Sequence, residues 1–297
     1  MRRRILIIVN PAAGRKRRSE TRLNRVVDAL RRRGCEVVLH MTQGPGDAER
    51  LARTADPVFD VIVAAGGDGT VNEVANGLRR GSQLLAVLPL GTGNVLANEI
   101  EMPHAPEALA RVIAEAPARP IWPGLAGDRL FLAVAGIGFD ADVLSALGAG
   151  LKRRIGKLAF VWAVVLCLLR YRRRQFVVGA VGAEHRAASV VVVKGRRYAG
   201  NFVIAPAASL AEPMLHVVLF RRPGRLAAVR ALAALALGGL HRLPEVSIFA
   251  APSVAIAATA TESDATFPVE IDGEITARMP IAFGIAETPL LLVQPMA

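Results

Sequence analysis

The stretch Val58-Phe59-Asp60-Val61-Ile62-Val63-Ala64-Ala65-Gly66-Gly67-Asp68-Gly69-Thr70-Val71-Asn72-Glu73 runs from an apolar segment, through three glycines set around an aspartate, into a helical pattern. Residues 58–64 read as a buried strand and residues 71–80 as a helix. Glycines at such a junction let backbone N–H groups approach a phosphate with no Cβ in the way, and the helix N-terminus favours negative charge. Polyphosphate is the ligand such a loop suits. Asp68 does not itself attract phosphate, so its place there implies work through Mg2+ or by holding a hydroxyl or backbone group. Read alone, the same glycines also make a plain tight turn.

The pattern repeats on both sides of this stretch. Residues 5–9, 36–41 and 84–88 are further strand candidates, and residues 19–33, 47–54 and 105–114 suit helices. This alternation predicts a doubly wound α/β domain, a parallel sheet with helices on both faces. Ligands in such sheets sit at the carboxyl ends of the strands. Polar, glycine-rich segments fall at all four of those ends: Asn10-Pro11-Ala12-Ala13-Gly14, then Thr42 to Gly46, Gly66 to Thr70, and Gly91 to Asn94.

Prolines 117, 120 and 123 and glycines 124 and 127 cluster where the pattern changes, which sets a boundary between residues 1–122 and 123–297. Beyond it, strand candidates at 130–135, 176–181, 189–193, 202–205, 215–220, 246–251 and 254–258 predict an antiparallel β-sandwich. Helices are inserted near 141–170 and 224–240, and the last strand is free to return to the first domain. A length of 297 residues is enough for two such cores.

Composition excludes wholesale disorder, with 53% hydrophobic and 21% charged residues. The 37 Lys+Arg against 25 Asp+Glu leave a net charge of +12, clustered at residues 2–4, 15–18, 31–33, 152–154 and 170–174. Such a field favours an anionic partner, although solvated basic faces are equally compatible with each cluster. Two cysteines, Cys35 and Cys167, make no disulfide framework, so a reducing, cytoplasmic compartment is expected. The apolar run at 5–9 is too short for a signal peptide. The run at 158–169 falls short of the roughly 20 residues of a membrane-spanning helix. Its basic flanks could hold it at an anionic lipid surface. A P-loop is absent, because Gly150 and Gly156-Lys157 are wrongly spaced and Leu158 stands where Ser or Thr is needed. The five histidines have no metal-ligand spacing.

Four segments in this order carry a resemblance: Asn10-Pro11-x-x-Gly14; Gly66-Gly67-Asp68-Gly69-Thr70-Val71-Asn72-Glu73; Pro89-Leu90-Gly91-Thr92-Gly93-Asn94; and Gly136-Ile137-Gly138-Phe139-Asp140-Ala141. The chain resembles the bacterial diacylglycerol kinase-like lipid kinases, which are similar to sphingosine kinases, from about Ile5 to Asp272-Gly273-Glu274. The resemblance implies ATP held between an α/β domain and a β-sandwich domain. Asn10 to Gly14, Thr42, Gly66 to Asn72, and Gly91 with Thr92 would line its site. It further implies that Asp272 or Glu274 acts as general base on a lipid hydroxyl, with Asp68 also in the catalytic set. Phosphoryl transfer needs such a base together with Mg2+ and cations, for which Arg15 or Lys16 is a candidate. Without the resemblance, Asp272-Gly273-Glu274 reads as a hairpin turn.

Relatives of this kind often carry an Asp-Gly pair before the strand matching residues 215–220, where the Asp and nearby backbone carbonyls hold a structural Mg2+. Here Ser209-Leu210-Ala211-Glu212-Pro213-Met214 stands in that place, which leaves Ser209, Glu212 and Met214 as the metal-ligand candidates. Pro213 lacks both the flexibility of glycine and an N–H. The expected activity is transfer of the ATP γ-phosphoryl group to a membrane lipid, with diacylglycerol the default acceptor. A NAD kinase, whose Gly-Gly-Asp-Gly loop is similar, and a nucleotide-responsive lipid-binding protein without turnover are the alternatives. The expected partners are an anionic membrane surface, by peripheral association, and a second copy in a homodimer. Nucleic acid is not among them, given 5% aromatic residues and no basic-aromatic motif.

Overall fold

A computed structural model describes residues 3–14, 16–79, 81–147, 157–259 and 266–296, and the chain divides into two compact units. The first comprises Met1–Trp122 and Glu287–Ala297, the second Pro123–Ala286.

In the first unit the elements run β1 (Arg4–Val9), α1 (Lys16–Arg32), β2 (Glu36–Met41), α2 (Asp47–Arg53), β3 (Val61–Gly66), α3 (Asp68–Gly77), β4 (Leu84–Pro89), α4 (Val95–Glu99), α5 (Pro106–Glu115) and β5 (Ala118–Ile121). They form one sheet of order β2-β1-β3-β4-β20-β5, in which β20 (Leu290–Val293) lies parallel to β4 and antiparallel to β5. Strands β1 to β4 are mutually parallel. β3 is buried at every position, as are Ile5 to Val9 of β1, which requires cover on both faces. Helices supply it. α1 buries the stripe Leu23, Val26, Val27 and Leu30 and packs with α5, while α2 packs on α3. The α2–α3 contact is close enough that a Cβ on Gly77 would lie 2.5 Å from the Glu49 carbonyl oxygen.

The second unit is a sandwich of two six-stranded antiparallel sheets. Its strands are β6 (Gly124–Ala126), β7 (Arg129–Phe131), β8 (Val134–Ile137), β9 (Phe176–Ala180), β10 (Ala183–Ala187), β11 (Ser189–Val193), β14 (Leu215–Phe220), β15 (Val246–Ala251), β16 (Val254–Ala258), β17 (Pro268–Ile271), β18 (Glu274–Arg278) and β19 (Ile281–Ile285). One sheet has the order β10-β9-β16-β19-β6-β7 and the other β15-β14-β11-β8-β17-β18. A short hairpin of β12 (Arg197–Tyr198) and β13 (Phe202–Val203) stands apart from both. Inward residues of the two sheets, among them Phe131, Phe176, Val192, Val217, Ile256 and Phe283, form the core. Phe131 meets Phe283, and Phe176 meets Phe267, edge to face. Three described helices are inserted: α6 (Phe139–Leu147), α7 (Lys157–Leu169) and α8 (Arg225–Ala236).

The apolar run 130–135, expected as one strand, is two. β7 ends in one sheet and β8 begins in the other, so Leu132 and Ala133 carry the chain across the sandwich. Hydropathy is continuous through this step because both sheets face the same core.

Candidate active site

The glycine-rich segments of the first unit lie at the carboxyl ends of β1, β2, β3 and β4, and named contacts tie them to one another. Asn10 donates through Nδ2 to Thr70 Oγ1 at 3.1 Å and accepts the Ala12 N–H on Oδ1 at 2.9 Å. This pins the turn Pro11–Ala12–Ala13 to the first turn of α3. Gly14 has φ +69° and sits where a Cβ would come within 2.2 Å of the Leu90 carbonyl oxygen. Gly67 and Gly91 press together, since a Cβ on Gly91 would lie 2.5 Å from the Gly67 Cα. Any side chain at these positions would fill the cradle, so the glycines are there for backbone approach and not merely for turning. The loop holding Thr42 is fastened by Glu73, whose two carboxylate oxygens accept the Gly46 and Ala48 N–H groups at 2.9 and 3.0 Å.

Asp68 resolves one of its two sequence readings, for its Oδ1 accepts the Val95 N–H at 2.6 Å and so holds a backbone group at the start of α4. Asn94 takes the left-handed conformation, φ 50°, and donates through Nδ2 to the Gly91 carbonyl. Thr92 lies exposed, and Val71 and Asn72 are buried in α3. The first-turn N–H groups of α3 have no partner in their own helix, a ready site for phosphate oxygens. Arg15 and Lys152 to Arg154 lie outside the described residues, as does the Lys16 side chain.

The acidic turn belongs to the second unit and gives its two carboxylates different environments. Asp272 is buried, with φ 46°, and its side chain accepts three consecutive backbone N–H groups, from Leu132 at 2.7 Å, Ala133 at 2.9 Å and Val134 at 3.0 Å. These are the amides of the crossover between the two sheets, so Asp272 satisfies donors that neither ladder can take. Glu274, two residues on at the start of β18, is exposed. Of the pair, only Glu274 presents a carboxylate that a substrate hydroxyl can reach.

Beneath this turn lies a buried polar cluster absent from the sequence-derived site. Asp140, in the first turn of α6, accepts the Tyr198 hydroxyl, while Glu270 of β17 accepts the Gly273 N–H. The Asp140 and Glu270 carboxyl groups are themselves paired. Burial raises Asp140 to about 6, against opposing hydrogen bonds from Tyr198 and Glu270. Glu270 is raised well above the ordinary carboxylate range, by burial first and then by the Asp140 charge. Protonation of Glu270 is therefore favoured, and that proton would supply the partner that Asp140 Oδ2 and Glu270 Oε2 otherwise lack. The motif Gly136-Ile137-Gly138-Phe139-Asp140-Ala141 gains its reason here. Gly136 lies opposite Glu270 across the sheet, and a Cβ on it would come within 1.9 Å of Asp140 Oδ2. Asp140 also lines an apolar cavity with Phe139, Tyr171, Ile204, Leu232 and Leu235, closed on one side by α8.

Ser209, Glu212 and Met214, expected as metal ligands, do converge through backbone carbonyls, but on an ammonium and without the Glu212 carboxylate. Lys194 Nζ donates to the Glu212 carbonyl at 2.6 Å, to Met214 at 2.7 Å and to Ser209 at 3.5 Å. Lys194 is 0% exposed, and burial lowers its pKa to about 8 against the attraction of Glu212. The Glu212 residue itself is exposed. Mg2+ takes octahedral oxygen ligands at roughly 2.0–2.1 Å. Nζ already stands among these carbonyls at hydrogen-bond distances, so the site does not fit the ion. Sequence reasoning missed Lys194 because it closes the apolar run of β11, and it missed Glu270 because it sits in a run read as apolar. A lone charge within a buried strand was the available signal for both.

Comparison with known proteins matches residues 4–125 to the diacylglycerol kinase catalytic domain and residues 133–294 to the YegS C-terminal NAD kinase beta sandwich-like domain. A diacylglycerol kinase of Bacillus subtilis (strain 168) is 30% identical over 245 residues, 80% of this chain and 80% of that protein. A Chromohalobacter salexigens protein named "Probable lipid kinase YegS-like" is 29% identical over 255 residues, 84% of this chain and 80% of the relative. Two solved structures from Bacillus anthracis str. Sterne share the fold. One has TM-score 0.80 at 21% identity, over 99% of this chain and 95% of the other. The second, titled a diacylglycerol kinase, has TM-score 0.72 at 20% identity, over 99% and 97%. With both halves matched, and with glycine-rich loops at the strand ends of one unit and an acidic turn in the other, the chain belongs to the YegS-like and diacylglycerol kinase family of lipid kinases.

Proposed function

We propose that this lipid kinase transfers the γ-phosphoryl group of ATP to the free hydroxyl of diacylglycerol, giving phosphatidic acid and ADP. The first unit binds the nucleotide: its polyphosphate lies against the N–H groups around Gly14, Gly67, Gly69 and Gly91. Mg2+ brought with the nucleotide would supply charge neutralisation at the transferring phosphoryl group. The second unit binds the lipid and supplies the base. Glu274 accepts the hydroxyl proton as the oxygen attacks phosphorus, while Asp272 holds the turn to the sheet crossover.

The observation that carries this reading is the chain of contacts within the second unit that links the wall of an apolar cavity to the turn bearing Glu274. The cavity wall holds Asp140, Asp140 is paired with Glu270, and Glu270 accepts the Gly273 N–H next to Glu274. An acyl chain suits the cavity, and a hydroxyl-bearing headgroup suits its polar end.

Delivery from a membrane suits the adjoining helices, which pack together. Val161, Trp162, Val165 and Leu169 of α7 are exposed, as are Leu226 and Val229 of α8, with Arg170, Arg172, Arg173 and Arg225 exposed nearby. Apolar residues for insertion and arginines for anionic headgroups form an interfacial surface. Among the described residues no helix is long and apolar enough to cross a membrane.

A panel assay with Mg-ATP in mixed micelles tests the proposal, offering diacylglycerol, monoacylglycerol, ceramide and sphingoid bases, with NAD as a separate acceptor. Phosphorylation of diacylglycerol above the others is expected. Preference for another lipid, or formation of NADP, would replace the acceptor, and no phosphorylation of any lipid would remove the reading.

A further inference from the structure

The Ser209–Met214 loop is built around a cation, and the cation is part of the chain. Three carbonyl oxygens, from Ser209, Glu212 and Met214, turn inward to one point. Carbonyls brought together in this way need a donor or a positive charge between them, because their partial charges otherwise repel. An ammonium carries three N–H donors and no acceptor, so three carbonyls satisfy it completely. Lys194 meets both sides of that requirement. Its side chain extends from the end of β11, and its own backbone N–H is bonded to the Ala133 carbonyl at 2.9 Å.

From this we infer that the Lys194 ammonium is the resident cation of the Ser209–Met214 loop, and that the second unit folds and holds this loop without a divalent metal. The resemblance to relatives with a structural Mg2+ makes the difference specific. A metal ion would need Lys194 to leave, and its side chain is buried with its backbone N–H bonded to Ala133. Glu212 and Pro213 fit the ammonium arrangement. The Glu212 carboxylate is not needed as a ligand and points into solvent, where it still lends Lys194 a favourable charge. Pro213 is exposed, and its missing N–H removes no contact to the cation.

The consequence is a division of metal dependence. Divalent metal enters with the nucleotide, and the fold of the second unit is indifferent to it.

The test uses the whole protein without nucleotide and reads metal content and thermal stability, not turnover, so its result is independent of which lipid is phosphorylated. After dialysis against EDTA and then metal-free buffer, elemental analysis should find far less than one divalent ion per chain, and Tm should move by no more than about 1 °C on adding EDTA, Mg2+ or Ca2+. Lys194→Met removes the ammonium while keeping an unbranched side chain, and its Tm should fall by about 5–10 °C. Lys194→Ala opens the site, and it alone should gain Tm when Mg2+ or Ca2+ is added. A wild-type protein that retains one tightly bound divalent ion, or loses stability in EDTA, overturns the inference, as does a Lys194→Met protein with unchanged Tm. Should the variants fail to fold, the wild-type metal and EDTA measurements decide alone.

Discussion

Asp140 and Glu270 are paired inside the sandwich unit, where burial raises both carboxyl groups, and Tyr198 donates its hydroxyl to Asp140. Because Asp140 is raised to about 6 from an unfolded value near 3.8, the folded state binds the extra proton more tightly. Its contribution to stability is fully present below about pH 4 and is lost as pH rises through about 6, a change of about 3 kcal/mol. Asp140→Asn keeps the acceptor for Tyr198 and abolishes this titration. Unfolding free energies measured by denaturant at pH 4 and pH 8 should show the variant gaining about 2–3 kcal/mol on wild type across that interval. A difference that stays constant with pH would mean that Asp140 does not take up its own proton near pH 6 in the folded state.

Glu274 and Asp272 should respond oppositely to loss of charge. Glu274→Gln changes an exposed group, so Tm should hold within about 1 °C while kcat falls by about 10²–10⁴-fold. Asn tolerates the left-handed backbone of residue 272, so Asp272→Asn tests the carboxylate alone. It weakens three charge-assisted bonds and sets an amide NH2 against backbone N–H donors, at a cost of about 2–4 kcal/mol. Thermal unfolding should show a Tm lower by about 5–10 °C. The reverse pattern, with a stable Asp272→Asn and an unstable Glu274→Gln, would exchange their roles.

The phosphate cradle should be intolerant of one added methyl group. In Gly91→Ala the new Cβ would overlap the Gly67 Cα, so the two loops must part. Reacting groups displaced by an ångström cost about 10²-fold in rate. The KM for ATP should rise by about tenfold or more, with the lipid KM unchanged. Steady-state kinetics with each substrate varied separately checks this, and an unaltered ATP KM would place the nucleotide elsewhere.

The exposed face of α7 and α8 should matter at a bilayer and not in detergent. Trp162→Ser with Leu226→Ser removes two exposed apolar side chains without touching the cavity. Sedimentation with phosphatidylserine-containing vesicles should show binding reduced by about tenfold or more, and wild-type binding should weaken as salt rises. Activity in mixed micelles should remain close to wild type. Vesicle binding unaffected by the double substitution would put the membrane surface on another face.

Much of this protein could be read from one dimension. The parallel sheet followed from short apolar runs alternating with helical patterns, since a strand buried on both faces leaves a continuous hydrophobic signature. The loops at residues 10–14, 66–70 and 91–94 were visible because each requirement is local: a strand end, a glycine where a Cβ would collide, a helix start. Only tertiary structure decided what the charged residues do. Asp272 and Glu274 are indistinguishable as letters on either side of a glycine, and they part only because residues 132–134 leave three amides unpaired beside one of them. Asp68 could have met a metal or a backbone group until the start of α4 came to rest against it. Ser209, Glu212 and Met214 supply backbone carbonyls, which every residue type carries, so their side chains say nothing of what they bind. Lys194 is fifteen residues or more away in sequence, and only the folding of β11 and its neighbours brings an ammonium to them. Local patterns report what a segment must do with its own backbone and apolar surface. The partner of a buried charge is set by whichever distant segment the packing brings within about 3 Å.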